Sequence, residues 1–229
     1  MIKDALRALC PPLLWKAASA TKEHLTRTRS QAGDGSAQDL GVYWEEKMVK
    51  LLHTWGEGNT WHEIELLLAG RQGKILDVGC GTGVVMRRLR QRLGLDVYGC
   101  DISDRLLAEA ARSEIPEDRL TLCDATQTNY DDKSFEYTYS IGCLEHFTEE
   151  GINLVATEMR RITRNISFHM VPISRSGQDE GWLKTYQSFF NNNTSWWARR
   201  FEAHFSEVLV LDSIWNDQIS VGKWFVCGG

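Results

Sequence analysis

The stretch Lys74-Ile75-Leu76-Asp77-Val78-Gly79-Cys80-Gly81-Thr82-Gly83 joins a short apolar run to a glycine-rich turn, and Val84 to Leu93 continue it at helical spacing. A strand, a tight turn and a helix follow in that order. Glycine is required where the chain turns sharply and a ligand approaches the backbone with no Cβ in the way. The spacing is GxGxG, because position 84 is Val, and so differs from the longer GxGxxG turn of dinucleotide-binding proteins. A nicotinamide oxidoreductase is disfavoured on that ground.

Downstream, apolar runs alternate with helical stretches, the order expected of a parallel sheet with crossover helices. The runs are Lys74 to Val78, Asp96 to Cys100, Leu120 to Cys123, Phe135 to Ile141 and Ile166 to Val171. Helices are predicted over Val84 to Leu93, Asp104 to Arg112 and Glu149 to Ile162. A polar, aromatic stretch from Ser174 to Asn193 leads into a helix near Trp196 to Phe205. Two strands, Val208 to Trp215 and Ser220 to Val226, flank Asn216-Asp217 and should pair antiparallel. The fold class is therefore α/β, a doubly wound, mostly parallel sheet with an antiparallel C-terminal hairpin and helices on both faces.

Upstream, Trp44, Met48, Leu51, Leu52 and Trp55 recur at helical spacing from Val42, with Gly56 as a stop. Thr60-Trp61-His62-Glu63 reads as a capping box for a helix ending at Gly70. Residues 1–20 form a basic, amphipathic segment, and residues 26–40 have the composition of a linker. The division is thus 1–40, segment and linker, and 41–229, folded domain.

The chain of 229 residues carries a net charge of −5, with 42% hydrophobic and 25% charged residues, a globular composition. Residues 1–30 hold six basic and two acidic side chains, so the remainder carries −9. That balance gives no electrostatic reason to bind nucleic acid. No run reaches the roughly 18 apolar residues of a membrane-spanning helix, and Pro11, Pro12 and Lys16 interrupt anything resembling a secretory signal. The six cysteines include no CxxC pair, which fits reduced thiols in the cytoplasm and no metal site. Cys80, Cys100, Cys123 and Cys143 close successive strands and are expected as small apolar filling.

Asp101 ends the second strand, eighteen residues beyond Gly83, and is placed to accept hydrogen bonds from a ribose diol; Asp124 ends the third. Together with the glycine turn, these residues resemble the class I S-adenosylmethionine-dependent methyltransferases over about Val42 to Gly229. The resemblance implies S-adenosyl-L-methionine as cofactor and S-adenosyl-L-homocysteine as product. It implies that Asp77, Gly79, Cys80, Gly81 and Gly83 hold the amino-acid end, Asp101 and Ile102 the ribose, and Asp124 and Ala125 the adenine. Ser140 to His146 match the segment that passes beside the transferred methyl group. A Pro-Gly-Gly turn usual before the fifth strand is replaced here by Arg161-Ile162-Thr163-Arg164-Asn165.

His146, Glu145 and His169 are the candidate catalytic residues, the alternative for His169 being a satisfied core histidine. A small polar acceptor is expected, with a sugar or glycan intermediate favoured. Residues 1–20 resemble the starts of bacterial methyltransferases of surface-polysaccharide synthesis, which implies weak peripheral contact at the inner membrane face; packing on the domain or a partner is the competing reading. Arg175, Asp179, Glu180, Trp182, Lys184 and Tyr186 are candidates for a lid over the acceptor. The competing function is a non-catalytic S-adenosylmethionine-binding subunit that supports a partner enzyme. Oligomeric state is not legible in this sequence.

Overall fold

The computed structural model describes residues 38–229. Residues 1–20 and most of the linker therefore lie outside the described residues. Seven strands form one sheet: β1 (Lys74–Val78), β2 (Asp96–Asp101), β3 (Leu120–Leu122), β4 (Phe135–Ile141), β5 (Thr163–Ser174), β8 (Glu207–Asn216) and β9 (Ser220–Gly228). Their order is β3-β2-β1-β4-β5-β9-β8. The first five pair in parallel, and β9 lies antiparallel between β5 and β8. The chain thus winds outward from β1 in one direction and restarts beside β1 in the other, which opens a crevice at the strands' C-terminal ends.

Strands buried on both faces are mostly apolar, as in β1, where every residue after Lys74 is buried and Asp77 alone of these is polar. Among the described residues six α-helices flank them: α1 (Glu46–Leu52), α2 (Thr60–Leu68), α3 (Val84–Leu93), α4 (Asp104–Arg112), α5 (Glu149–Ile162) and α6 (Thr194–Glu202). Ile152, Met159, Trp197 and Phe201 of α5 and α6 pack on one face of the sheet with Phe225. Ile64, Leu68, Met86 and Leu89 of α2 and α3 pack on the other with Phe168 and Trp224. Helices therefore cover both faces. The bounds of α3, α4 and α5 match the sequence expectation because local signals set them: Gly83 and Gly94 in left-handed conformation at the ends of α3, and the Ser103 and Thr148 hydroxyls capping α4 and α5.

Several expectations are corrected. The helix predicted from Val42 to Trp55 is broken at Glu45, whose backbone is extended, into a 3-10 turn (Leu40–Trp44) and α1. The predicted Trp196 to Phe205 helix starts at Thr194 and ends at Glu202, with the Asn193 side chain accepting from Trp196 N at 2.8 Å. Within the polar, aromatic stretch from Ser174 to Asn193, β6 (Trp182–Leu183) and β7 (Phe189–Phe190) form a short antiparallel hairpin. Its Trp182 and Phe190 rings meet edge to face at 4.9 Å. The capping box does not form either. Asn59 caps α2 by accepting from Thr60 N, and the Thr60 hydroxyl donates to Gly56 O.

Glu63 instead accepts three hydrogen bonds from the C-terminal hairpin: from Ser213 Oγ and Ile214 N, both at 2.6 Å, and from Trp224 Nε1 at 2.8 Å. One carboxylate thereby fastens α2 to β8 and β9. Among the described residues no helix is long and apolar enough to cross a membrane. Glu63→Ala leaves these donors without their acceptor, and with hydrogen bonds to charged groups worth about 1.5–3 kcal/mol each before partial replacement by water, a net loss of about 2–4 kcal/mol is expected. Urea unfolding of the variant measures it; an unchanged midpoint would show the fastening to be dispensable.

Candidate active site

A cleft of about 260 Å³ lies over the C-terminal ends of β1, β2 and β4, at the reversal of strand order. Its floor is the glycine turn. Gly79 and Cys80 donate to Cys100 O at 2.9 and 3.0 Å, which holds the turn against the end of β2. Gly79, Gly81 and Gly83 all have positive φ, and a Cβ at Gly79 would sit 2.6 Å from the Cys143 sulfur. Only glycine satisfies both conditions at Gly79.

Asp101 ties the turn to the next helix, Oδ2 accepting from Gly81 N and Oδ1 from Ser103 N, each at 2.9 Å. Burial raises its carboxyl to about 6 against these two bonds. Asp77, one strand away, is also buried and accepts from the Tyr139 hydroxyl at 2.7 Å. Desolvation, with the nearby Asp101 charge, pushes it to about 7. Asp124 turns back on itself: its Oδ1 accepts from Thr126 N and Thr126 Oγ1 at 2.8 and 2.7 Å.

The structure brings Gly79, Gly81, Asp101, Ile102, Asp124 and Ala125 to the cleft wall. Asp77, Cys80, Gly83 and Ser140 lie outside that wall, with Asp77 held by Tyr139 and Gly83 starting α3. Cys100, Cys123 and Cys143 also line it, while Cys80 is buried among Met86 and Gly99. Burial raises the Cys80 and Cys143 thiols well above their usual range, and a hydrogen bond with Cys123, together with burial, does the same for Cys100. Among the described residues no group of three or more His, Cys, Asp or Glu side chains has a metal-binding arrangement.

His146 lines the cleft on the 3-10 turn Leu144–His146 that follows β4, with Glu145 buried beside it. His146 Nδ1 donates to Ser188 O at 2.9 Å. His169 lies elsewhere: it is fully buried in β5, stacked on Phe201 at 5.1 Å. Its two ring nitrogens meet Ser140 Oγ at 2.9 Å and Ser167 Oγ at 2.7 Å, and Thr138 and Thr163 extend this hydroxyl chain. Burial lowers the ring to about 3, so it is neutral. Both nitrogens are satisfied within the core, the alternative that the sequence left open.

Sequence reasoning missed the opposite wall. Gln38, Leu40 and Tyr43 line the cleft, and Gln187 reaches over it to donate from Nε2 to the Tyr43 hydroxyl at 3.1 Å. The adjacent Tyr186 hydroxyl donates to Glu45 Oε2 at 2.9 Å, and the Lys47 ammonium sits 3.9 Å from the Tyr186 ring centre. These contacts join the insertion to α1 and to the segment before it, with Gln187 at the cleft wall. Of its predicted residues, Glu180 serves to anchor it, accepting from Ser174, Ser176 and Asn191.

A wider crevice of about 820 Å³ opens at the opposite ends of the strands, beside Arg71, Lys74, Lys133 and Arg164. Its cations are largely committed to the fold: Arg71 donates to Leu67 O, Lys133 to the Arg160 and Thr163 carbonyls, and Arg164 to Lys133 O. It has neither the glycine turn nor the strand-end carboxylates. The smaller cleft is the chemically equipped one.

Comparison with known proteins agrees with this geometry. Residues 75–165 match the family model described as a methyltransferase domain. The chain is 34% identical over 128 residues to "Methyltransferase GfsG" of Streptomyces halstedii, covering 53% of this chain and 45% of that protein. It is 32% identical over 79 residues to "Phosphoethanolamine N-methyltransferase 2" of Caenorhabditis elegans, covering 33% of this chain and 18% of that one. The chain therefore spans less than half the length of these curated relatives. Among solved structures it resembles geranyl diphosphate C-methyltransferase from Streptomyces coelicolor A3(2), at 15% identity and TM-score 0.60, over 86% of this chain and 89% of that one. Residues 75–165 thus match a methyltransferase domain, and the fold around them is one shared with solved methyltransferase structures.

The buried carboxylates carry a pH signature. Asp77 titrates near 3.8 when exposed and at about 7 in the fold, so keeping it ionised costs stability that accumulates from pH 4 to 7 and then levels off. Asp77→Asn, which retains an oxygen for Tyr139, is expected to be more stable than the parent by a margin that grows across that interval. Thermal midpoints from pH 4 to 8 test this; parallel curves for the two proteins would refute it.

Proposed function

We propose that the protein transfers a methyl group from S-adenosyl-L-methionine to a small polar acceptor, a sugar or glycan intermediate being the class favoured, and releases S-adenosyl-L-homocysteine. The observation that carries this reading is the cleft over a Cβ-free turn, with the Asp101 carboxylate at the turn's edge. Asp101 has acceptor capacity left after its two backbone bonds and suits the ribose diol, flanked by Ile102. The Asp124-Ala125-Thr126 turn, fixed by its own side-chain bonds, suits the edge of a purine. Gly79 lets the amino-acid end approach the backbone, and the Asp77 and Gly83 positions set the turn's shape from beneath.

The bound cofactor supplies a methyl carbon on a positively charged sulfur, open to in-line attack. The protein's part is to position the acceptor and exclude water. Tyr43 and Gln187 close the cleft across its mouth, and His146 presents a ring at the wall. The overall negative charge and the polar lid fit an uncharged polar metabolite better than a nucleic acid. The five unpaired cysteines among the described residues fit a reducing compartment, the cytoplasm.

Titration calorimetry tests the cofactor. Binding of S-adenosylmethionine and S-adenosylhomocysteine is expected, with none for NAD, and Asp101→Ala should weaken both adenosyl ligands by about tenfold or more. Affinity should also fall as pH drops through about 6, where Asp101 takes up a proton. Absence of adenosyl binding to the folded protein would overturn the proposal.

A further inference from the structure

Beyond the glycine turn, two helical stripes build the cleft wall. On the 3-10 turn, Leu40 and Tyr43 stand three residues apart, so they share a face, and both line the cleft. On α5 the lining residues are Glu150, Gly151 and Leu154, again one face, with Phe147 just ahead of the helix. Gly151 keeps that face low, because a Cβ there would come within 3.1 Å of the Phe147 side chain. Leu154 is 46% exposed, in a helix whose inward residues Ile152, Val155 and Met159 are fully buried. A large apolar side chain kept on a cleft wall, outside the core, is surface offered to a ligand.

The charge on this wall has one sign. Among the described residues, the Asp and Glu side chains that line it are Asp101, Asp124 and Glu150, and no Lys or Arg does. Burial lowers the His146 ring to about 4, so it is uncharged at neutral pH. Cations on the neighbouring elements are engaged elsewhere: Arg105 pairs with Glu46, Arg200 with Glu149, and Lys47 lies over the Tyr186 ring. A phosphate or carboxylate on the acceptor would therefore face like charge with no cation to answer it. An ammonium would be brought up against the positive sulfonium of the cofactor, which disfavours it too. Gln187 and Tyr43, joined across the mouth at 3.1 Å, offer neutral donors and acceptors instead.

We propose that the acceptor is an uncharged glycoside of an apolar body, free of phosphate, whose sugar meets Gln187 and Tyr43 while the apolar body lies along Leu40, Phe147 and Leu154. This rests on the methyltransferase reading above and narrows it. Sugar phosphates and nucleotide-linked sugars are set apart, because their phosphates would meet an acidic wall. Leu154 and Glu150 thereby become specificity-determining residues: the first rewards an apolar body, and the second penalises an anionic one.

Titration calorimetry of the full chain saturated with S-adenosylhomocysteine tests this with methyl glucoside, hexyl glucoside, hexyl phosphate and hexylamine as probes. Hexyl glucoside is expected to bind at least about tenfold tighter than methyl glucoside, since each further methylene gains from burial. It should also exceed the two charged hexyl compounds by about tenfold or more. Leu154→Asn, at an exposed position, should remove most of the hexyl gain, with S-adenosylhomocysteine affinity kept within about threefold. Glu150→Lys should narrow the margin over hexyl phosphate by about fivefold or more. Equal or tighter binding of hexyl phosphate or hexylamine to the parent, or no gain from the hexyl chain, overturns the proposal, and so does either variant that leaves its margin unmoved. If S-adenosylhomocysteine fails to bind the parent, the methyltransferase reading fails; if it binds and the probes rank otherwise, the acceptor class alone fails.

Discussion

The structure of the cleft depends on one carboxylate. Asp101 accepts from Gly81 N on one side and Ser103 N on the other, so the end of β2 sets both the glycine turn after β1 and the start of α4. Ionised, Asp101 is expensive to bury, and its raised carboxyl records that cost. The two amide donors offset part of the cost, and the remaining acceptor capacity faces a cleft. A site optimised for stability alone would use a neutral side chain here. Retaining a costly charge at a strand end, with its acceptor capacity turned toward the cleft, is the pattern of a binding group.

The same tension runs through the neighbouring strand. Asp77 and Asp101 lie on adjacent strands, both buried and both titrating well above exposed carboxylates. Tyr139 supplies Asp77 with a hydrogen bond from β4, so three strands contribute to holding two carboxylates beneath one turn. Around them the lining is cysteine: Cys100, Cys123 and Cys143 occupy the wall as small side chains. A larger residue at Cys143 would press on Gly79, where even a Cβ would approach that sulfur to 2.6 Å. Cysteine here is a packing choice imposed by the close approach of the turn.

Much of the fold was legible because its signals are local. The glycines around α3, the hydroxyls before α4 and α5, and the apolar runs of β1, β2 and β4 each announce themselves within a few residues. What escaped depends on partners distant in the chain. Glu63 has the spacing of a capping residue, yet its bonds run to Ser213, Ile214 and Trp224, some 150 residues away. Periodicity alone could not show that the extended backbone at Glu45 would split the first helix. Likewise the Tyr43 to Gln187 closure joins the start of a stretch that reads as helical to a distant polar, aromatic one. The glycine turn, Asp101 and Asp124 could be singled out from their spacing, whereas the wall made by Tyr43 and Gln187 emerged only once the chain was folded.

The two histidines show how position, rather than residue type, decides function. Both are buried and both are held neutral by desolvation. His169 lies within β5, where Ser140 and Ser167 take both its nitrogens, so it closes a hydroxyl ladder that satisfies the polar groups between β4 and β5. Such a ladder is tolerable in a core only because each member has a partner. His146 lies just past the end of β4, where the regular pairing stops, and only its Nδ1 is taken. The difference arises from the sheet itself: inside it, neighbouring strands supply partners at fixed register, and beyond its edge a side chain must look to a loop or a ligand. His146 has the loop on one nitrogen, which leaves the other without a partner from the protein.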